Sequence, residues 1–320
     1  MENYKNSIAL FIELENRYAV DARLLGHRIR INISEDYYLR VIIPSLVLKN
    51  RCLEIEVPGI TKKYKADLSD WGTVKSYVSL DNIDRMDVWI SAVVVECFGK
   101  DGDSLPKPGI IQAKAKKVIH SLQIINPDAI RVPSDEYKDD LCEVKMSVYL
   151  SEGGEAQPEI KCAMIFDDRK GKLSITDIKN AFRNAYNPIS APYEMLNNAR
   201  INYVHHDTRA TVLNCATAIE VMLKKMVSAY LKENEIPQAL CNYVLKQADG
   251  FDKLVDLCKK LDICLEGMPI IKDFVMKIRN RVIHGGYIPS DEESQVAYNN
   301  TRETLKTLNV PMFELNNENN

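Results

Sequence analysis

The chain changes its hydrophobic period near its middle. In the first half, apolar and polar residues alternate over short runs: HRIRINI (27–33), YYLRVII (37–43), RCLEIEV (51–57), DVWISAVVVE (87–96) and EVKMSVYL (143–150). A period of two, rich in β-branched and aromatic residues, predicts strands. Glu35-Asp36, Pro58-Gly59, the stretch from Gly99 to Gly102 and Gly153-Gly154 supply turns between them. KCAMIFD (161–167) reads as one more strand, and ITDIKNAFRNAY (175–186) as a helix leading out, with Thr176 as a candidate N-cap. Many short strands joined by loops predict an antiparallel sandwich or barrel rather than a βαβ sheet.

Asn187-Pro188 and Ala191-Pro192 punctuate the boundary, and after them the period becomes helical. In residues 208–234, Val212, Ala216, Ile219, Leu223, Met226 and Tyr230 recur at spacings of three and four. Further helices are expected at 193–205, 237–248, 251–262, 269–284 and 291–308. Gly250, Gly267 and Gly285-Gly286 lie just past expected helix ends, where C-terminal caps belong. Asp291, Glu292 and Glu293 place negative charge at the start of the last helix. The expected architecture is α+β: a β-rich domain over 1–180, an all-helical domain over 190–312 and a polar tail over 313–320.

Composition narrows the class. With 46% hydrophobic and 27% charged residues the chain is an ordinary globular one, and a net charge of −3 excludes a strongly basic nucleic-acid coat or a polybasic membrane binder. The apolar run Ile8 to Ile12 is cut off by Glu13 and Glu15, too short for a secretory signal. Trp89 to Phe98 is about half a membrane span. The cysteines at 52, 97, 142, 162, 215, 241, 258 and 264 show no C-x-x-C pair, and several occupy apolar periodic positions. The expectation is a soluble cytoplasmic protein with reduced thiols and no membrane partner.

Candidate chemistry concentrates in FVMKIRNRVIHGGYIP (274–289). Phe274, Val275, Ile278 and Val282 form an apolar face to anchor a helix, and Arg279, Asn280, Arg281 and His284 follow. Cleaving an RNA phosphodiester without a metal needs a group titrating near neutrality and a fixed cation to offset charge on the phosphate oxygens. His284 and Arg279 are of those types, and Asn280 adds a neutral hydrogen-bonding group.

Arg279-Asn280-x-x-x-His284, with Gly after the His and an apolar helix before the Arg, resembles the R-x(4–6)-H motif of HEPN domains, helical modules of prokaryotic RNA-cleaving toxins and antiviral defence proteins. ATAIEVMLKKM (216–226) resembles the earlier core helix of that family, with Glu220 as the matching acid. The likeness covers about residues 190–312 and is closest to the Apea-like branch; the first 180 residues carry none. It implies a metal-independent endoribonuclease without cofactor, acting in bacterial antiviral defence or abortive infection. It also implies a homodimer through the helical domain, with two motifs facing across a twofold axis. Arg279, Asn280 and His284 would then be catalytic and Glu220 supporting, RNA would be the substrate, and the β-rich half would respond to an unidentified trigger. Some toxins of the family are silenced by modification of a Tyr two positions after the motif His; Tyr287 lies three positions after His284.

Other readings stand beside this one. Arg200 to His205, and more loosely to His206, satisfies the same spacing without the Asn or the glycines. On a continuous helix Arg279 and His284 point about 140° apart, so either the helix ends before His284 or the two serve a shared cleft. Arg279, Arg281 and His284 also suit a helix C-terminus on electrostatic grounds alone. His205-His206 with Asp207 is a thin metal set. From residue 195 onward, 15 basic against 16 acidic residues leave −1, so RNA contacts would be local, at the motif and at Lys224, Lys225, Lys259 and Lys260. The alternative function is a non-catalytic HEPN-like module that dimerises and binds a nucleotide or a partner protein. A third is that the β-rich half is the active part, though Asp167-Asp168 and Glu13/Glu15 read there as surface charges.

Overall fold

The computed structural model describes residues 6–33, 37–49, 52–59, 71–74, 88–99, 105–131, 142–146, 160–164, 171–185 and 187–314. Glu35-Asp36, Lys100 to Gly102, Gly153-Gly154, Asp167-Asp168, Tyr186 and the ends of the expected strands at 147–150 and 165–167 lie outside these residues, as does the tail from 315. The protein is α+β, with strands early and helices late. It divides into two compact units, Met1–Gln112 with Asp128–Ile178, and Ala113–Pro127 with Lys179–Asn320.

Alternation in the first unit yields strands, and every pairing between named strands is antiparallel. They are β1 (Asn6–Val20), β2 (Arg28–Asn32), β3 (Tyr37–Ile42), β4 (Ser45–Lys49), β5 (Cys52–Glu56), β6 (Gly72–Val74), β7 (Val88–Gly99), β8 (Ile130–Arg131), β9 (Cys142–Met146) and β10 (Ile160–Met164). The main sheet runs β2-β3-β7-β1-β8, with β6 also on β7, while β4–β5 and β9–β10 form separate two-stranded ribbons. β7 is central and buried on both faces, which explains its continuous apolar run. Its one acid, Glu96, is 3% exposed and accepts a hydrogen bond of 2.6 Å from Arg40 Nε on β3, so its charge is compensated. Gly72 has φ +133°, and a Cβ there would lie 2.1 Å from the Trp89 carbonyl oxygen, so only glycine lets β6 approach β7.

A helix not expected from the sequence, α1 (Pro108–Ile125), interrupts the strands, and its Ile124 joins the core of the second unit. Then come α2 (Ile175–Asn184), α3 (Ala191–Val204), α4 (Thr208–Glu233), α5 (Gln238–Gln247), α6 (Phe251–Lys260), α7 (Met268–Ile271), a π-helical stretch Lys272–Met276, α8 (Lys277–Gly285) and α9 (Asp291–Thr307). α2 is capped by Ser174 rather than Thr176: the Ser174 hydroxyl accepts from the Asp177 amide at 3.2 Å, and the Asp177 carboxylate accepts from the Ser174 amide at 2.9 Å.

Helix α4 is the axis of the helical unit. Val212, Ala216, Ile219 and Leu223 are buried, as their spacing predicts, with Val227 on the same side, and Cys215, Ala218 and Met222 bury a second face. Helices α3, α5, α6, α8 and α9 all pack on α4. Asp207 caps it, accepting from the Ala210 amide at 3.0 Å. Burial pushes the Cys215 thiol up to about 12 against an opposing hydrogen bond with Thr301, so it stays protonated. Among the described cysteines, Cys97, Cys215, Cys241, Cys258 and Cys264 are free thiols. Among the described residues no helix is long and apolar enough to cross a membrane.

The π stretch alters one expectation. Its last bond runs from the Lys277 amide to the Lys272 carbonyl, five residues back. The wider turn keeps Val275 and Met276 in the core but carries Phe274 off that face, leaving it 48% exposed, while Ile278 and Val282 remain buried. Leu223 has no exposed surface, so Leu223→Ala should lower stability by about 2–5 kcal/mol in urea unfolding. Leu240→Ala, at a half-exposed site, should cost well under half as much.

Candidate functional site

Helix α8 presents two different faces. Ile278 and Val282 are buried, and with Val275 and Met276 of the π stretch they seat the helix in the core. Taking Arg279 as zero and about 100° per residue, Ile283 lies near 40°, Asn280 near 100° and His284 near 140°. These four form one strip: Arg279 is half-buried at its edge, while Asn280, Ile283 and His284 are exposed. The helix does not break before His284. It continues through Gly285, and Gly286 ends it with φ +62°, the Gly286 and Tyr287 amides both donating to the Arg281 carbonyl.

The structure brings Arg279, Asn280 and Glu220 together. Arg279 Nη1 donates to Asn280 Oδ1 at 3.0 Å, and Arg279 Nη2 stands 3.8 Å from Glu220 Oε1 on α4. At that separation the pair with Glu220 is electrostatic rather than a hydrogen bond. Arg279 and Asn280 form one side of a cleft of about 320 Å³, whose other lining includes Glu220, Phe251, Lys253 and Lys272. His284 does not line it. Among the described residues, none forms a hydrogen bond or ion pair with the His284 imidazole. One chain therefore offers the cation and the imidazole from the same strip but not within one pocket.

Beyond the helix end, a set of ties holds residues 286–293. Arg209, in the first turn of α4, donates from Nη2 to the Gly286 carbonyl and from Nε to the Tyr287 carbonyl at 3.1 Å. The Arg281 guanidinium lies 3.5 Å from the Tyr287 ring centroid, and the Tyr287 hydroxyl donates to Glu293 Oε2 at 2.8 Å. Glu293 also accepts from the Ser290 amide at 2.9 Å, completing a capping box on α9. Partial burial pushes the Glu293 carboxyl up, but the Ser290 amide, the Tyr287 hydroxyl and the Arg281 charge together outweigh it and hold the group below its usual range. Arg209 was not singled out by sequence: its partners are backbone carbonyls 77 and 78 residues away, and no spacing rule points to them.

The second Arg–His pair is placed differently. Arg200 is 4% exposed, donates from Nε to the Pro127 carbonyl at 3.1 Å, and lies 5.5 Å and 5.9 Å from the Tyr203 and Tyr298 rings. Its charge is held inside the helical unit while His205 is exposed, so this pair presents no joint face to a substrate. His206 Nδ1 stands 3.6 Å from Asp291 Oδ1, and Asp207 is occupied as the α4 cap. Among the described residues, no cluster of three or more His, Cys, Asp or Glu is arranged to hold a metal ion. Lys224 faces Asp249 at 3.9 Å, Lys225 pairs with Glu314, and Lys259 and Lys260 are exposed on the last turn of α6.

Comparison with protein-family models, with curated proteins and with solved structures finds no match to this chain.

The Glu293 ties predict an acid-side dependence. Its carboxyl is depressed in the folded state, so its contribution is present above the unfolded value of about 4.3 and is lost as pH falls through the lower folded value. Glu293→Gln should be less stable than wild type at pH 7 in urea unfolding. That gap should close as the pH drops below about 4; a gap independent of pH would show that the carboxylate charge is not what is used.

Proposed function

We propose that the helical unit is a metal-independent, HEPN-type endoribonuclease that works as a homodimer. The observation that carries this reading is the α8 strip: Arg279, Asn280 and His284 share one solvent-facing side of a helix anchored in the core, and Arg279 and Asn280 also border the cleft. His284 takes the proton from a ribose 2′-hydroxyl, and the 2′-oxygen attacks phosphorus. The bond to the 5′-oxygen breaks, and that oxygen takes a proton from an imidazolium. The products are a 2′,3′-cyclic phosphate and a 5′-hydroxyl. Arg279 offsets the charge gathering on the phosphate oxygens, and Asn280 orients the phosphate or the imidazole.

The separation of about 140° between Arg279 and His284 is the reason for the dimer. A twofold axis beside the strip turns one protomer's Arg279 toward its partner's His284. Ile283 on the strip and Ile288 just beyond the helix end, 49% and 68% exposed, offer apolar surface suited to an isologous contact. On this reading the β-rich unit controls the activity in response to a trigger, and the setting is the cytoplasm of a bacterium defending itself against phage, as the family resemblance implies.

One observation favours the non-catalytic alternative: Glu220 already faces the Arg279 charge at 3.8 Å, and residues from 195 onward carry 15 basic against 16 acidic side chains. Cleavage of single-stranded RNA in EDTA separates the two. His284→Ala and Arg279→Ala should each lower the rate by at least about 100-fold without changing the melting temperature, because neither side chain is in the core. Equal rates in wild type and His284→Ala would sink the mechanism, and RNA binding without cleavage in wild type would favour the binding module. Ile283→Asp should shift the protein to monomer in light scattering and abolish cleavage together with the dimer.

A further inference from the structure

Resting on the ribonuclease reading, we propose that Arg209 is a positioning residue for His284: it fixes where α8 ends and so where the imidazole stands. His284 occupies the last turn of its helix, with two glycines after it, and residues 283–286 are all exposed. Glycine weakens a helix by about 1 kcal/mol relative to alanine, and this turn has no core contact of its own to offset that. Its hold comes from outside the helix. The Gly286 and Tyr287 amides turn back to the Arg281 carbonyl, which points the following two carbonyls away from any helical partner. Arg209 receives both of those carbonyls on one guanidinium.

The donor itself is rigidly rooted. Arg209 lies two residues after the Asp207 cap, and Thr211, fully buried, donates from its hydroxyl to the Asp207 carbonyl at 2.8 Å. The guanidinium fork is the only side-chain group that spans two successive carbonyls as one planar unit, so a lysine would satisfy one of them and not both. Arg209 thus links the fixed start of α4 to the end of α8, two residues beyond the imidazole. Loss of the link frees the final turn to fray, and a displacement of about 1 Å at a reacting group costs up to about 100-fold in rate.

The test uses the full chain with Arg209→Ala and Arg209→Lys. Amide hydrogen exchange at Gly286 and Tyr287 should accelerate at least tenfold in Arg209→Ala and by less in Arg209→Lys. On a mixed-sequence single-stranded RNA in EDTA, kcat should fall about 10- to 100-fold for the alanine variant with KM unchanged, and the lysine variant should recover part of it. Exchange as slow in Arg209→Ala as in wild type overturns the proposal. So does a raised KM with kcat intact, which would make Arg209 an RNA contact instead. Should wild type cut no RNA at all, the ribonuclease reading fails while the exchange result still decides whether Arg209 holds the end of α8.

Discussion

One helix meeting another at two points sets the geometry of the helical unit. Glu220 and Arg209 are 11 residues apart on α4, about 16 Å along its axis, and they address Arg279 and the carbonyls of Gly286 and Tyr287. The order is reversed between the two helices, so α4 and α8 run antiparallel, with polar ties flanking a buried seam. An electrostatic contact at one end and a hydrogen-bonded fork at the other would count for little on a mobile surface. Here Ile278 and Val282 seat the body of α8 in the core, while its exposed last turn takes its direction from the Arg209 fork.

The two Arg–His pairs show why spacing does not make a site. Arg200 and Arg279 each precede a histidine by five positions, yet the first guanidinium is enclosed by Tyr203, Tyr298 and the Pro127 carbonyl, and the second stands at the mouth of a cleft. The enclosed arginine lies beside the carbonyls that follow α1, where a cation is favourable. Burial, not sequence, decides which of the two can meet an anion from solvent.

Most helices of the second unit were legible because several independent signals agreed: a period of three to four over 208–234, acids at the start of α9 and a glycine pair at the end of α8. The strands were legible as alternation, and β7 as an apolar run. Three things were not. Helix α1 lies between strand-like segments, in a half whose dominant period is two. The π stretch leaves no mark in composition, so nothing in the sequence separates Phe274 from the buried face. Ser174 lies one residue before the expected helix, while Thr176 inside it has the same capping chemistry. For the candidate site, Arg279, Asn280, His284 and Glu220 were all named from sequence. The relation between them was not, because it depends on the helix continuing through His284 and on an arginine whose partners are main-chain atoms.

The π stretch at 272–276 also bears on how such a strip arises. A π turn is what remains when one extra residue is accommodated inside a helix whose two ends stay put. An extra residue carried in an ordinary α-helix would turn everything after it by about 100°, swinging Ile278 and Val282 out of the core and the motif inward. Taken up in the wider turn, it leaves Ile278 and Val282 buried and Asn280 and His284 exposed. A helix can therefore change length by one codon upstream of its polar strip without burying it.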